Sequence, residues 1–380
     1  MGEFDMKKWV WIVLTMLLFF AFGGCYSSLG EWEDRIRQYL DEESSDMQSA
    51  KDPDSTPEYG ENESIPDISY VEDFSAEDSS TEDSVPEPGM EQMYTYTGMM
   101  EELAELSILY PELVRLDTLG YSAMGREIPL VKLGNGEAEV LYVAAIHGCE
   151  FSTVNYMMRC LREYTETAAA WESYGGYNIA EILQNYTFYI VPMANPDGFE
   201  ISNHEEEPLW LCPDLEAARY DYSCNGNGAN LNRNFPIAWE EAEGGTQPDA
   251  AMSKGAYEAS EPETQALIQL CEEHDFERMF SFHNYGHCVY WQDTYSGSVP
   301  GDAELAELLE EVCGFYLPDA TSDPVRYGGG FENWFRMRYN RPGFCVELGL
   351  LEYDTSVFLS DFEDAVAWYS TRYAMLLGLQ

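Results

Sequence analysis

From residue 140 onward the sequence contains four short, almost uninterrupted apolar runs, at 140–146, 188–193, 279–282 and 344–346. A β-strand is apolar along its whole length when helices cover both faces of its sheet, which is typical of parallel sheets. Helical periodicity lies between the runs, most clearly at about 152–164. The pattern predicts an α/β fold with a single open, mostly parallel mixed sheet that helices cover on both faces.

Polar groups follow each of these runs close to the point where the run ends. His147-Gly-Cys-Glu150 follows the first run, Asn195-Pro-Asp-Gly198 the second, His283 the third and Glu347 the fourth. Open α/β sheets bind ligands beyond the carboxyl ends of their strands. Two histidines and several carboxylates are therefore expected at one edge of the sheet.

Three of these side chains suit a metal ion. His147 and Glu150, three residues apart on a strand-to-helix turn, can reach one cation, and His283 supplies a third ligand. Three protein ligands leave the fourth tetrahedral position of Zn²⁺ open for water, as in catalytic zinc sites. Zinc brings the pKa of that water to about 7. Glu347 is the candidate to accept its proton and return it to a leaving amine.

Each of these features is weak by itself. A His-x-x-Glu pair is usually a surface pair, and a histidine at a strand end is usually structural. Asn-Pro-Asp-Gly is a favourable turn sequence, and a single glutamate often caps a helix or joins an ion pair. The prediction depends on their order and on their shared position after apolar runs.

The charge of the chain restricts its partners. The 380 residues include 70 Asp and Glu against 19 Lys and Arg, a formal net charge of −51. This argues against nucleic acid as a partner, because phosphate binding needs a basic face. Residues 31–90 carry 20 acids and 3 bases, whereas residues 91–380 carry 48 acids and 14 bases and are rich in aromatic side chains. Only the second stretch is suited to a folded core.

The N-terminus has the pattern of an export signal. Lys7 and Lys8 precede an apolar stretch at 9–22, which is shorter than the roughly 20 residues of a membrane span. Gly23-Gly-Cys25 then resembles the end of a bacterial lipoprotein signal, in which the cysteine is lipidated. An uncleaved anchor and a plain secretory signal are the alternatives, and all three place the protein outside the cytoplasm, at the bacterial cell surface or secreted. The predicted division is a signal or anchor at 1–25, an acidic disordered linker at 26–93 and a catalytic domain at 94–380.

Eight cysteines remain when Cys25 is set aside, and an even number outside the cytoplasm permits disulfides. Their spacing is not that of a zinc finger. Several lie in apolar runs, where cysteine usually acts as a small core residue. We expect mostly core thiols, with Cys212 and Cys224 as the candidate bridge because both lie in a loop-rich insertion.

Five motifs occur in a fixed order: His147-x-x-Glu150, Asn195-Pro-Asp-Gly198, Asn230-Leu-Asn-Arg-Asn-Phe235, Ser281-Phe-His283 and Val346-Glu-Leu348. In this combination the chain resembles the carboxypeptidase A-like zinc peptidases from about residue 94 to 380. Two stretches, 283–291 and 329–344, are similar to the bacterial γ-D-glutamyl-diaminopimelate peptidases. Those enzymes cut the stem peptides of cell-wall peptidoglycan.

The resemblance implies one Zn²⁺ per chain on His147, Glu150 and His283, with Glu347 as general base and acid. It also implies that Asn232 and Arg233 hold the terminal carboxylate of the substrate, a task that suits a guanidinium group. A surface ion pair is the alternative role for Arg233.

Several positions depart from the family pattern. Asn230 stands where the family commonly has an Asp hydrogen-bonded to the first zinc histidine, and we expect a weaker site because such partners raise metal affinity. Cys149 stands where animal members often have Arg. The basic residue that stabilises the oxyanion would fall on Ser223, with Arg219 nearby as a substitute. Tyr327 is the candidate for the mobile tyrosine of the substrate cap.

The sequence therefore predicts an extracytoplasmic zinc metallocarboxypeptidase that cleaves near a free carboxylate by Glu-assisted attack of zinc-bound water. Cell-wall stem peptides are the first substrate class, the membrane is a partner through the N-terminal lipid or anchor, and a monomer is expected. One alternative is a broad-specificity extracellular metallocarboxypeptidase acting on environmental peptides. Another is an inactive surface binding module, which the retention of all metal ligands and Glu347 disfavours.

Overall fold

The computed structural model describes residues 93–204, 206–293, 297–320, 328–349 and 361–379, without the side chains of 361–367. The predicted signal with Cys25, the linker up to residue 92 and Tyr327 lie outside the described residues. Among the helices that are described, none is long and apolar enough to cross a membrane.

The strands are, in chain order, β1 Val114–Tyr121, β2 Glu127–Gly134, β3 Ala138–Ala144, β4 Ser173–Tyr174, β5 Tyr177–Asn178, β6 Tyr186–Val191, β7 Arg278–Asn284, β8 Cys288–Tyr290 and β9 Gly343–Leu348. Within the described residues, seven of them form one sheet in the order β1-β2-β6-β3-β7-β9-β8, and β4 and β5 form a separate hairpin. The central strands β6, β3, β7 and β9 are parallel, whereas β1, β2 and β8 add antiparallel pairings at the edges. The predicted α/β fold with a mostly parallel mixed sheet is confirmed.

The helices are α1 Tyr96–Leu109, α2 Phe151–Ala170, α3 Ile179–Asn185, α4 Pro196–Asn203, α5 Leu215–Ala218, α6 Pro262–Glu273, α7 Asp302–Cys313, α8 Phe331–Tyr339 and α9 Asp361–Ala374. Side-chain caps account for three of the helix starts, among them that of α3, where Oδ1 of Asn178 accepts from the backbone N–H of Glu181. Thr95 accepts a hydrogen bond from the backbone N–H of Gly98, and Asn195 accepts one from that of Gly198. Asn-Pro-Asp-Gly is therefore the start of α4, with proline at a first position that needs no N–H donor.

The packing of the central strand β3 explains why its sequence is apolar from Val140 onward. Val140 and Tyr142 pack on one face of the sheet with residues of α2, and Leu141 and Val143 pack on the other with residues of α6 and α8. All four side chains have no exposed surface. Because both faces are covered, the ends of β3 and its parallel neighbours are where polar side chains can meet solvent.

The eight described cysteines are free thiols. Most are buried, which confirms the expectation of core thiols. The expected bridge between Cys212 and Cys224 is wrong for this structure. Both side chains belong to a small apolar cluster with Ile201 and Tyr222, where they pack as small hydrophobic groups.

Candidate metal centre

His147 and Glu150 lie in the tight turn that joins β3 to α2. Gly148 passes so close to α4 that a Cβ there would stand 2.3 Å from the carbonyl oxygen of Gly198. Only glycine permits this approach, and it holds the turn against the start of α4. Glu150 is the residue immediately before α2, and its side chain is buried. The turn thereby directs both side chains to the carboxyl end of the sheet.

His283, on β7, completes a compact triangle with these two residues. Nδ1 of His147 lies 2.8 Å from Oε1 of Glu150, and Nδ1 of His283 lies 3.3 Å from Nδ1 of His147. Nδ1 of His283 also lies 3.2 Å from Oε2 of Glu150. Ligand atoms of a tetrahedral zinc ion are about 3.3 Å apart, given zinc–ligand bonds of about 2.0–2.1 Å. The three predicted metal ligands are brought within 2.8–3.3 Å of one another, close to the separation of ligand atoms around zinc.

The protonation pattern of His147 also fits a cation between these ligands. Asn230 orients its amide by donating from Nδ2 to the carbonyl oxygen of Ala251, 2.8 Å away, so Oδ1 faces Nε2 of His147 at 3.2 Å. This acceptor retains the imidazole proton on Nε2. The lone pair on Nδ1 then faces a carboxylate oxygen, an arrangement that a metal ion between them makes favourable.

Glu150 provides a further test of the fit. Its Oε2 atom is buried and accepts no hydrogen bond in the structure. Burial opposes ionisation of this carboxyl, but positive charge on the two imidazoles outweighs burial and lowers its pKa to about 2, and a bound cation would supply positive charge at the same place. Glu150 is thus a buried carboxylate that faces a ring nitrogen of each histidine, and zinc suits that donor set of two nitrogens and one carboxylate.

Glu332 is a residue of this centre that sequence reasoning missed. Its Oε1 atom lies 3.2 Å from Nε2 of His283, and Oγ of Ser281 lies 3.0 Å from the same nitrogen. The sequence places Glu332 only as an acid in the first turn of a helix after a run of glycines, a common helix-start signal. Nothing in that pattern indicates that α8 begins beneath β7.

Glu347, on β9, is the Cα register partner of His283 on β7. Burial raises the pKa of Glu347 to about 8, while the nearby His283 lowers it and Glu150 raises it further. Oε1 of Glu347 lies 3.6 Å from Sγ of Cys345, the residue two positions before it on the same face of β9. The carboxyl therefore lies beside the metal ligands, where a proton acceptor was predicted.

Asn232 and Arg233 lie in a short helical turn, Leu231–Arg233, directly after Asn230. The backbone N–H of Asn232 donates to Oδ1 of Asn230 at 2.9 Å, and Oδ1 of Asn232 accepts from the N–H of Phe331 at 2.7 Å. Nη1 of Arg233 donates to the carbonyl oxygen of Asn232 at 2.8 Å. One loop thus carries the partner of His147 and both predicted carboxylate-binding side chains.

Asp197 ties the start of α4 to the loop after β1. It has no exposed surface and accepts hydrogen bonds from Oγ of Ser122 at 2.8 Å, from the N–H of Met124 at 2.7 Å and from Nη1 of Arg126 at 2.7 Å. These contacts join the start of α4 to the Ser122–Arg126 loop. They hold in place the helix against which the metal-binding turn packs.

The guanidinium of Arg219 contacts backbone carbonyls of the insertion, and its oxyanion role stays a prediction. Nη1 of Arg219 donates to the carbonyl oxygens of Ile201 and Glu206, at 2.7 and 2.8 Å, and Nη2 lies 3.6 Å from Glu207. These contacts hold the guanidinium within the insertion.

Ser223, by contrast, lies beside the metal-binding turn. Its Oγ atom is 3.6 Å from Sγ of Cys149, the residue before Glu150. Burial raises the pKa of the Cys149 thiol to about 12, so the sulfur stays protonated at neutral pH. The position expected for a basic residue therefore carries a neutral hydroxyl next to a neutral thiol.

Comparisons with known proteins agree with this geometry. A model of the zinc carboxypeptidase family, peptidase M14, matches residues 99–330, more than half of the chain. The γ-D-glutamyl-L-diamino acid endopeptidase 1 of Lysinibacillus sphaericus is 27% identical over 269 residues, which cover 68% of this chain and 66% of that protein. Carboxypeptidase B of Astacus astacus is 26% identical over 250 residues, covering 61% of this chain and 78% of that protein.

Among solved structures, the carboxypeptidase A of Helicoverpa armigera is similar to this chain with a TM-score of 0.59 at 17% identity. The match covers 77% of this chain and 76% of that one. At this identity the likeness shows a shared fold. The chain spans just under two thirds of the Lysinibacillus protein, so that protein's activity and substrates do not carry over as findings.

Proposed function

The chain belongs to the zinc carboxypeptidase family, and from this premise we propose that it is a zinc-dependent peptidase that cleaves near a free carboxylate in peptidoglycan stem peptides. The observation that carries the proposal is the convergence of His147, Glu150 and His283, with Glu347 in register beside them. A binding module without activity would need neither the open metal coordination nor the adjacent carboxylate.

Proton transfer is the task of Glu347. Zinc held by His147, Glu150 and His283 would supply Lewis acidity, which lowers the pKa of a water and polarises the scissile carbonyl. Glu347 accepts the proton of the attacking water and delivers it to the leaving amine. A carboxyl group with a pKa near neutrality serves both steps, and burial keeps the pKa of Glu347 well above its ordinary value.

The loop at 230–233 is the proposed binding site for the substrate carboxylate. Asn232 has its amide oriented by the contact between its Oδ1 and Phe331, and Arg233 follows it directly. A guanidinium group binds a carboxylate through two parallel hydrogen bonds. Because Asn230 of the same loop contacts His147, a carboxylate bound there would place the neighbouring peptide bond close to the metal ligands.

Two observations favour stem peptides as the substrate class. The Lysinibacillus relative is, by its name, an endopeptidase for γ-D-glutamyl-L-diamino acid bonds, and its similarity extends over 68% of this chain. The second is the export pattern at residues 6–25, which would bring the enzyme to the cell wall. We propose a surface location, with a lipid on Cys25 or an uncleaved anchor, and secretion as the alternative.

The deciding experiment compares substrates on one preparation of the full chain. After metal removal and addition of one equivalent of zinc, the protein is incubated with a stem peptide containing a γ-D-glutamyl-diaminopimelate bond and with ordinary peptides of matched length. We expect stoichiometric zinc and preferential cleavage of the stem peptide. Absence of bound zinc would contradict the catalytic proposal, and preference for the ordinary peptides would contradict the wall assignment alone.

A second candidate function is that of a broad metallocarboxypeptidase on environmental peptides. The similarity to Carboxypeptidase B of Astacus astacus is the observation that favours it. This alternative predicts sequential release of ordinary C-terminal residues, which the same incubation detects by mass spectrometry.

A further inference from the structure

Glu332 is a buried carboxylate to which the proposed mechanism gives no task. It lies in the first turn of α8 with 4% of its surface exposed. Its Oε1 atom is 3.2 Å from Nε2 of His283. Burial of a charged carboxylate is unfavourable unless a partner compensates it, so this contact calls for an explanation.

The contact lies on the side of the His283 ring that faces away from the other metal ligands. Nε2 faces Glu332 and Ser281, whereas Nδ1 is 3.2 Å from Oε2 of Glu150 and 3.3 Å from Nδ1 of His147. A neutral imidazole has one N–H, and a carboxylate acceptor at Nε2 holds the proton there. The lone pair of His283 is then on Nδ1, directed at the other ligands.

The two metal-binding histidines consequently differ in their outer partners. His147 has the neutral amide of Asn230 at 3.2 Å, and His283 has a carboxylate at the same distance. A carboxylate partner raises the basicity of a histidine ligand and fixes its ring. The charged partner that is absent on the His147 side is therefore present on the His283 side.

The two outer partners also belong to one hydrogen-bonded unit. Asn230 accepts from the N–H of Asn232, and Asn232 accepts from the N–H of Phe331, the residue before Glu332. The loop that orients His147 is thus bonded to the helix start that orients His283. A displacement of Glu332 would be transmitted to both imidazoles.

We propose that Glu332 is a positioning residue of the zinc centre, which acts through Nε2 of His283 to aim Nδ1 at the metal and to strengthen metal binding. The inference rests on the zinc ligands of the proposed function and is independent of its substrate. It accounts for a buried charge that the fold alone does not require.

The test measures zinc affinity of the full chain by competition with a chromophoric chelator. Glu332→Gln keeps the size of the side chain and an acceptor for Nε2 but removes the charge. Glu263→Gln is a matched control, because Glu263 is also a buried glutamate in the first turn of a helix, α6, and does not contact a proposed metal ligand. We expect Glu332→Gln to weaken zinc binding by about 10- to 100-fold and Glu263→Gln by less than about threefold.

A second readout separates positioning from a general structural role. The absorption spectrum of the Co²⁺-loaded protein should change in Glu332→Gln and remain that of the wild type in Glu263→Gln. Equal zinc affinity and an unchanged cobalt spectrum in Glu332→Gln would overturn the proposal. If Glu332→Gln fails to fold, Glu332→Asp carries the same test, with weaker zinc binding expected and wild-type affinity as the contradicting result. Zinc binding by the wild type is measured first, so a failure of the zinc site itself is recognised separately.

Discussion

Glu347 and His283 are register partners on the adjacent parallel strands β9 and β7. Register partners in parallel strands project from the same face of a sheet, so a proton acceptor and a metal ligand lie side by side. Neither residue depends on a loop for its position. A substitution of Glu347 should therefore affect proton transfer while leaving the metal ligands in place.

Glu347→Gln is expected to bind zinc as the wild type does and to lose about 10²- to 10⁴-fold in kcat, because the amide cannot accept the proton of water. Zinc content by atomic absorption and turnover of a stem peptide are measured on the same preparation. His283→Ala serves as the comparison, since it should lose zinc and activity together. Turnover of Glu347→Gln at the wild-type rate would exclude Glu347 as the base.

Asn230→Asp is expected to change metal affinity and stability in opposite directions. A carboxylate at this position would accept more strongly from Nε2 of His147, so zinc affinity should rise by up to about 10-fold. The same substitution removes the Nδ2 donor and places an oxygen against the carbonyl of Ala251. An unpaired buried acceptor costs about 1–3 kcal/mol, so the metal-free protein should be less stable.

Zinc competition and urea unfolding of the metal-free protein test the two halves of this prediction separately. Asn230→Ala is the matched variant, because it removes both contacts and should weaken zinc binding by about 10- to 100-fold. Stronger binding by Asn230→Ala than by the wild type would show that Asn230 does not orient His147.

The sequence was sufficient to predict the metal ligands because strand ends are recognisable from composition. The runs that became β3, β7 and β9 are apolar on both faces, so the polar residues after them had to lie at the sheet edge. That rule placed His283 and Glu347 at one edge, and their roles were predicted from their order together with His147 and Glu150. The antiparallel edge was less evident, because β1 has Val114 as its one buried position and no regular alternation of buried and exposed residues.

Contacts between elements distant in sequence could not be predicted in this way. Glu332 meets His283 only because α8 begins beneath β7, and no local pattern encodes that packing. Arg219 shows the same limit. Its nearness in sequence to Ser223 was the basis for predicting that it lies at the metal site. Its contacts with the backbone carbonyls of Ile201 and Glu206, within the insertion, are not encoded in that local pattern.

Arg233→Gln is expected to raise KM for substrates with a free carboxylate with a smaller effect on kcat, because it removes a binding contact and no reacting group. The loss in kcat/KM should be about 10- to 100-fold, corresponding to a charge-assisted hydrogen bond of about 1.5–3 kcal/mol. A substrate with an amidated terminus is the control, since the wild type and the variant should treat it alike. An equal loss on both substrates would assign Arg233 a structural role.

Glu263 should make the folded protein less stable as the pH rises. Burial raises the pKa of its carboxyl from 4.5 to about 7 in the folded state, although the N–H of Ala123 and the amide of Asn225 act in the opposite direction. Below pH 4.5 the group is protonated in both states and has no effect. Between pH 4.5 and 7 the unfolded chain ionises first, so the free energy of unfolding falls by up to about 3 kcal/mol and is constant above that range.

Glu263→Gln removes this titration while keeping the size of the side chain. The new amide nitrogen is a donor and would face another donor, either Nδ2 of Asn225 or the backbone N–H of Ala123. This lost hydrogen bond destabilises the variant by an amount that does not change with pH. The free energy of unfolding of the wild type should therefore fall relative to that of Glu263→Gln between pH 4.5 and 7. This holds whatever the difference between the two proteins is at pH 4.5. Urea unfolding at three pH values in this window, at constant ionic strength, measures the shift. Parallel curves would mean that Glu263 ionises in the folded protein at its ordinary pKa, with its backbone and amide donors fully offsetting burial.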